Sequence, residues 1–277
     1  MIKINGVEIK QDQFPDGTLL MKFNPRKQDF LLDNQTYINI EWLYENDAEL
    51  FTLICVKRHL DRVRSCTDIV LYMPYIPHAR MDRVKTNEDV FTLKYFCEVI
   101  NSLHFKTVVV RDAHSNVALA LLENVYEESF APYIYEAIDK SKAEALFFPD
   151  EGAMKRYSDK FHQPYAFGMK KRDWETGKIL GLDIINAENI VGKNVLIVDD
   201  ICSRGGTFYH SAKALKAAGA KSVSLYVTHL EKTVILGEMA STDGLVDHIY
   251  TTKSIFPEYL FEDGYDPYWK EWITILN

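Results

Sequence analysis

Hydrophobic residues fall in short unbroken runs rather than in alternation with polar ones. The runs are DIVLYMPY (68–75), TVVVRD (107–112), ALFFPD (145–150), NVLIVDD (194–200), SVSLYVTH (222–229) and HIYTT (248–252). Each is rich in β-branched or aromatic residues and closes on polar ones. Apolar runs of this length without alternation predict strands buried on both faces. Helical periods lie between them. Asn46 predicts a helix cap, with Glu49 three positions on and Leu50, Leu53, Ile54, Leu60 and Val63 following at helical spacing. Residues 89–103 gather Val90, Leu93, Phe96, Val99, Ile100 and Leu103 on one face, and residues 207–218 run to Gly219, a natural helix stop. Strands alternating with helices predict βαβ units, an α/β fold of parallel sheets flanked by helices.

The alternation occurs twice, over about 40–130 and about 140–252. Two tandem α/β domains are therefore expected, residues 1–135 and 136–277, joined near 130–140 without a low-complexity linker. No short-period repeat is visible.

Composition narrows the function. The 277 residues include 32 basic and 40 acidic ones, for a formal net charge of −8, with 47% hydrophobic and 26% charged residues. That is the balance of a folded globular chain, and its sign argues against a broad nucleic-acid surface. Residues 231–277 carry nine acids against three bases, while basic spots survive at Lys57-Arg58, Arg62, Arg64, Arg80, Arg83 and Lys170-Lys171-Arg172. Local basic spots on an acidic chain suit a small anionic ligand. No apolar run approaches the roughly 18–20 residues of a membrane span, and the opening MIKINGVEIK lacks a charged-then-apolar secretory pattern. Cys55, Cys66, Cys97 and Cys202 are far apart with no CxxC, which points to a reducing, cytoplasmic compartment and away from zinc or disulfides.

In open parallel sheets, ligands sit beyond the carboxyl ends of the strands. Those ends read Tyr75…His78-Ala79-Arg80, Arg111-Asp112-Ala113-His114, Pro149-Asp150-Glu151-Gly152 and Asp199-Asp200. They are expected to surround one cleft. The sharpest signal is NVLIVDDICSRGGTF, 194–208: a buried strand, paired carboxylates, a small-residue loop and a helix. Gly205 and Gly206 let backbone approach a ligand, and the N–H groups of the following helix start favour a phosphate. Asp199 and Asp200 repel phosphate but suit a sugar diol, whose hydroxyls donate hydrogen bonds. Ser203 and Thr207 flank the glycines. The segment reads as a site for ribose with a 5-phosphate. GxxxxGK[ST] and GxGxxG are both absent, which removes Walker A and dinucleotide readings.

Segment 194–208 resembles the phosphoribosyl-diphosphate motif of type I phosphoribosyltransferases and ribose-phosphate diphosphokinases. Four further segments resemble the diphosphokinases: FPDGT (14–18), YMPYIPHARMDR (72–83), VVVRDAHSN (108–116) and FFPDEGAMKR (147–156). The resemblance implies two tandem phosphoribosyltransferase-like domains, with ATP on the N-terminal side and ribose phosphate in the C-terminal loop. By that resemblance Phe14 stacks on the adenine of ATP held by an adjacent subunit and Asp16 meets its polar edge. Arg80 and Asp82 lie on the ATP side. His114 and Asp150 hold Mg²⁺ together with ATP oxygens and waters. Lys170 and Arg172 match the catalytic Lys-x-Arg that opens a flexible loop, and KKRDWETGK is itself polar for nine residues. Asp199, Asp200, Ser203, Arg204, Gly205, Gly206 and Thr207 take the ribose phosphate. The family forms dimers and often hexamers.

The implied reaction moves the β,γ-diphosphate of ATP to the anomeric hydroxyl of ribose 5-phosphate and releases AMP. The chain departs from the pattern at Met81, where the family has Gln, at Thr18, where it has Glu, and after Arg83, where a basic stretch is replaced by 84–89. Ser203-Arg204 replaces Asp-Thr in the acceptor loop, and the chain is shorter than is usual for the family. Arg204 raises the alternative of a larger acceptor such as ADP-ribose. A phosphoribosyltransferase and a non-catalytic regulatory relative are the other readings.

Overall fold

The computed structural model describes residues 1–23, 37–64, 67–172, 179–240, 244–261 and 268–276. The chain divides into two compact units, Met1–Glu128 and Ser129–Asn277.

The first unit contains β1 (Ile2–Ile4), β2 (Val7–Glu8), β3 (Gln11–Gln13), β4 (Leu19–Met21), β5 (Tyr37–Trp42), α1 (Ala48–Val63), β6 (Asp68–Tyr72), α2 (Thr92–Asn101), β7 (Thr107–Arg111), α3 (Asn116–Leu121) and β8 (Val125–Glu128). Its main sheet has the order β2-β1-β5-β6-β7-β8. β5 through β8 run parallel, β6 and β7 being among the predicted runs and β5 and β8 not, while β1 pairs antiparallel with β5 and carries β2 at the edge. β3 and β4 form a separate hairpin.

Two helix starts differ from the sequence reading. The Asn46 side chain accepts from Ala48 N at 3.0 Å, but Glu49 does not reach back to close a capping box. Glu49 is buried and takes stronger donors instead: the Met1 ammonium, Trp42 Nε1 at 3.0 Å and Glu45 N at 2.8 Å. α2 begins at Thr92 rather than at 89, because Asp89 closes a turn by accepting from Lys85 N and Thr86 N, both at 2.8 Å. Val90 is thereby left exposed, while Leu93, Phe96, Ile100 and Leu103 enter the core.

The second unit contains α4 (Ala131–Ser141), β9 (Ala145–Phe148), α5 (Glu151–Tyr157), β10 (Tyr165–Arg172), β11 (Ile179–Ile185), β12 (Asn194–Cys202), α6 (Gly206–Ala217), β13 (Ser222–Leu230), β14 (His248–Thr252), α7 (Tyr268–Trp272) and β15 (Ile273–Leu276). The sheet order is β11-β10-β9-β12-β13-β14-β15, with only the β10–β11 pair antiparallel. On β12, Val195 and Ile197 join the core on one face, and Leu196 and Val198 join the core on the other. On β9, Ala145 and Phe147 divide from Leu146 and Phe148 in the same way. Period-two geometry sends successive apolar side chains to opposite faces, so a strand with a layer on each side reads as an unbroken apolar run.

β9 leads through α5 to β10 on one side, whereas β12 leads through α6 to β13 on the other. The neighbours β9 and β12 therefore form a topological switch point, and a crevice opens beyond their carboxyl ends. Asp150 follows β9, and Asp199 and Asp200 lie near the end of β12.

Candidate active site

The second unit brings three predicted acids together at that crevice. Asp150 caps α5, its Oδ1 accepting from Ala153 N at 3.0 Å. Gly152 leaves room for this, since a Cβ there would stand 3.1 Å from the same oxygen. Asp199 Oδ1 accepts from Asp200 N at 3.0 Å. Asp199 keeps part of its surface open. Packing around its carboxyl, and then the charges of Asp200 and Asp150, push it well above the usual carboxylate range. Asp200 is buried, with Arg156 Nη1 at 3.9 Å.

The acceptor loop follows. Gly205 has φ +79°, left-handed backbone that only glycine adopts at no steric cost, and a Cβ there would stand 2.5 Å from Met239 Cε. Gly206 differs from Gly205, because no protein atom lies within 4 Å of where its Cβ would project. Ser203 Oγ is 3.2 Å from Thr233 Oγ1, and Arg204 and Thr207 are exposed. α6 then starts at Gly206, and helix geometry leaves its first N–H groups without intrahelical acceptors. Those donors, with the positive end of the helix dipole, form an anion cradle.

In the first unit, Phe14 stands at the turn of the β3–β4 hairpin and is 49% exposed. Asp16 holds that turn: its Oδ1 accepts from Thr18 Oγ1 at 2.7 Å and from Thr18 N at 3.0 Å, bonds that lower its pKa. Arg80 is exposed just beyond β6. Asp82 is buried and held below the usual carboxylate range by Arg83, whose Nε and Nη2 lie 2.7 and 3.0 Å from its oxygens. His114 is exposed beyond β7, and its charge when protonated also favours the Asp82 carboxylate. His78 and Asp112 have φ +63° and +45°, unusual for non-glycine residues.

Lys170 and Arg172 lie on the backbone of β10, which pairs with β11 through Lys170↔Leu182 and Arg172↔Ile179. The sequence places them at the start of a loop; the strand instead continues through them because β11 supplies a partner. Their side chains, and residues 173–178, lie outside the described residues, as does Cys66.

Sequence reasoning did not single out Arg156, although Asp150 and Arg156 bracket one short helix. It also passed over the segment from Glu231 to Ala240, which contacts the acceptor loop. Among the described residues no three His, Cys, Asp or Glu side chains form a metal cage. The mutually repelling carboxylates of Asp150, Asp199 and Asp200 are nevertheless a donor set that a cation or hydroxyl donors relieve.

The phosphoribosyl transferase domain model matches residues 155–255, which include the acceptor loop. The chain is 26% identical over 240 residues to the ribose-phosphate pyrophosphokinase of Saccharolobus solfataricus, a match spanning 83% of this chain and 79% of that protein. It is 26% identical over 259 residues to that of Thermococcus kodakarensis, spanning 91% and 87%. A crystal structure of phosphoribosylpyrophosphate synthetase from Mycobacterium smegmatis superposes with a TM-score of 0.71 at 18% identity, covering 97% of this chain and 85% of the other. The fold is thus of the phosphoribosyltransferase type. Within that class, the chain is most extensively similar, among these proteins, to ribose-phosphate pyrophosphokinases.

Proposed function

We propose that the protein transfers the β,γ-diphosphate of ATP to the anomeric hydroxyl of ribose 5-phosphate, giving phosphoribosyl diphosphate and AMP. The observation that carries this reading is the joining of a diol-seeking acid pair, Asp199 and Asp200, to a phosphate cradle at Gly205–Thr207 on one switch point. The acids accept from the ribose 2- and 3-hydroxyls, and the loop amides with Ser203, Arg204 and Thr207 hold the 5-phosphate. The first domain serves ATP through Arg80, Asp82 and His114, and Phe14 and Asp16 serve the adenine of a neighbouring copy in a homo-oligomer. The anomeric oxygen forms a bond to Pβ, the Pα–O–Pβ bridge breaks toward AMP, and the hydroxyl proton leaves to solvent.

Lys170 and Arg172 neutralise the diphosphate as charge moves onto it, the main demand of such transfers. Asp150 would hold Mg²⁺, which when bound would supply further neutralisation of the phosphate oxygens. Cys55, Cys97 and Cys202 are free thiols, in keeping with work in the cytoplasm. Similarity to ribose-phosphate pyrophosphokinases over most of the chain supports ribose 5-phosphate over ADP-ribose, and an enzyme over a regulatory relative. The test is AMP release from ATP and Mg²⁺ with each acceptor in turn. AMP formed with ribose 5-phosphate supports the reading, and AMP formed only with ADP-ribose, or with neither, overturns it.

A further inference from the structure

Four consecutive residues of the acceptor loop touch one segment, Glu231 to Ala240, which follows β13. Glu231 N donates to Cys202 O at 2.8 Å. Ser203 Oγ meets Thr233 Oγ1 at 3.2 Å, and Thr233 in turn donates to Glu231 Oε2 at 3.1 Å. The Arg204 carbonyl packs against Gly237, where a Cβ would overlap the carbonyl oxygen and stand 2.7 Å from its carbon. The Gly205 backbone packs on the Met239 side chain, which is buried.

The contact at Gly237 has a directional consequence. In a planar trans peptide the C=O and the following N–H point opposite ways. With the Arg204 oxygen lodged against Gly237, the Gly205 N–H points away from this segment. Gly237 has φ −97° and ψ 172°, extended backbone open to any residue. Its lack of a side chain is therefore not a conformational need. It is the space that the Arg204 carbonyl occupies.

We propose that residues 231–240 are a brace that sets the acceptor loop's amide direction, and that Gly237 and Thr233 are positioning residues for the 5-phosphate. This rests on the reading of residues 203–207 as the phosphate cradle. The segment acts through the loop. Val234 and Met239 anchor it in the core beneath, so the brace holds its own place while it orients the peptide above.

The test is Gly237→Ala, with Thr233→Val and Thr233→Ser alongside. Ribose 5-phosphate binding is measured by calorimetry without ATP, together with the KM for each substrate and the melting temperature. Gly237→Ala should weaken ribose 5-phosphate binding about tenfold or more, leave the KM for ATP within about twofold, and keep its fold. Thr233→Val should weaken the same binding about threefold, and Thr233→Ser should restore it. Unchanged ribose 5-phosphate affinity in a folded Gly237→Ala protein overturns the brace, as does an equal loss for both substrates. If Gly237→Ala does not fold, the Thr233 pair decides: equal affinity in Val and Ser variants overturns it. Failure of the parent protein to bind ribose 5-phosphate sinks the functional reading instead, a result the parent titration shows by itself.

Discussion

The Arg156 guanidinium at the end of α5 lies 3.9 Å from the Asp200 carboxylate on β12. Asp200 is only 6% exposed, and a buried carboxylate without a partner is costly. The same helix is capped by Asp150, whose charge acts on Asp199. One seven-residue helix thus feeds both a cation and an acid to the carboxylate pair. The outcome is asymmetric: Asp200 has a cation beside it, while Asp199 is held above the usual carboxylate range. A carboxyl in that state gains most from hydroxyl donors brought by a sugar.

Asp199→Asn should therefore stabilise the protein while removing its binding of ribose 5-phosphate. The folded chain holds the Asp199 proton more tightly than the unfolded chain, so its stability falls as pH rises above the unfolded carboxylate range. The gain in melting temperature on substitution should then be larger near about pH 7 than near about pH 4. Thermal melts at the two pH values read it, at about 2–4 °C per kcal/mol. A variant less stable than the parent at neutral pH would contradict the electrostatic account.

The strand ends were legible because a strand covered on both faces leaves an unbroken apolar run, as in ALFF and NVLIV. The edges were not. β2, β8, β11 and β15 are short or partly exposed, and β1, next in from β2, finds its second partner far along the chain, as in Ile2↔Trp42. The acceptor loop was legible from its glycines and acids, yet the two glycines proved unlike. Gly205 is fixed by its φ and by Met239, while Gly206 faces open space. The brace was illegible because its main feature is the missing side chain of Gly237, which acquires meaning only when the Arg204 carbonyl is seen against it.

His248 gives a pH test of the C-terminal sheet edge. It is half-buried on β14, its Nε2 lies 2.8 Å from Thr274 Oγ1 on β15, and burial lowers its pKa below the ordinary imidazole value. The unfolded chain then binds this proton more readily than the folded one. The stabilising effect is whole above the unfolded pKa of about 6.5 and is lost as pH falls through the lower folded value. The His248 contribution should fall between about pH 7.5 and about pH 5, so the stability of the parent relative to His248→Gln should drop over that range. An identical drop in parent and variant, followed by denaturant melts, would refute the assignment.

Lys170→Ala and Arg172→Ala should each depress turnover by about 10²–10³ and leave substrate affinity nearly unchanged. A cation that meets the diphosphate only as charge moves onto it lowers kcat and kcat/KM together. Steady-state AMP release, with calorimetric titration of ATP and ribose 5-phosphate, separates the cases. Near-full turnover with only a raised KM in either variant would mean that the residue binds ground-state phosphate and nothing more.

Arg204 is exposed on the acceptor loop, next to the left-handed Gly205, where the family carries a hydroxyl. A guanidinium is always charged and presents a fork of donors to phosphate oxygens. On the proposed reading that fork grips the single 5-phosphate and replaces the missing hydroxyl. Arg204→Thr, which restores the family's residue type, should raise the KM for ribose 5-phosphate about tenfold through loss of one charge-assisted contact, with kcat held within about twofold. The brace contacts at Gly237 involve the Arg204 backbone, so they survive the substitution and the loop keeps its course. The loss should also shrink as salt is raised, because an exposed cation is screened. Turnover assays with ribose 5-phosphate and ADP-ribose at low and high salt decide it. If the variant lost activity only on ADP-ribose and gained on ribose 5-phosphate, Arg204 would serve a second phosphate, and the monoester assignment would fall.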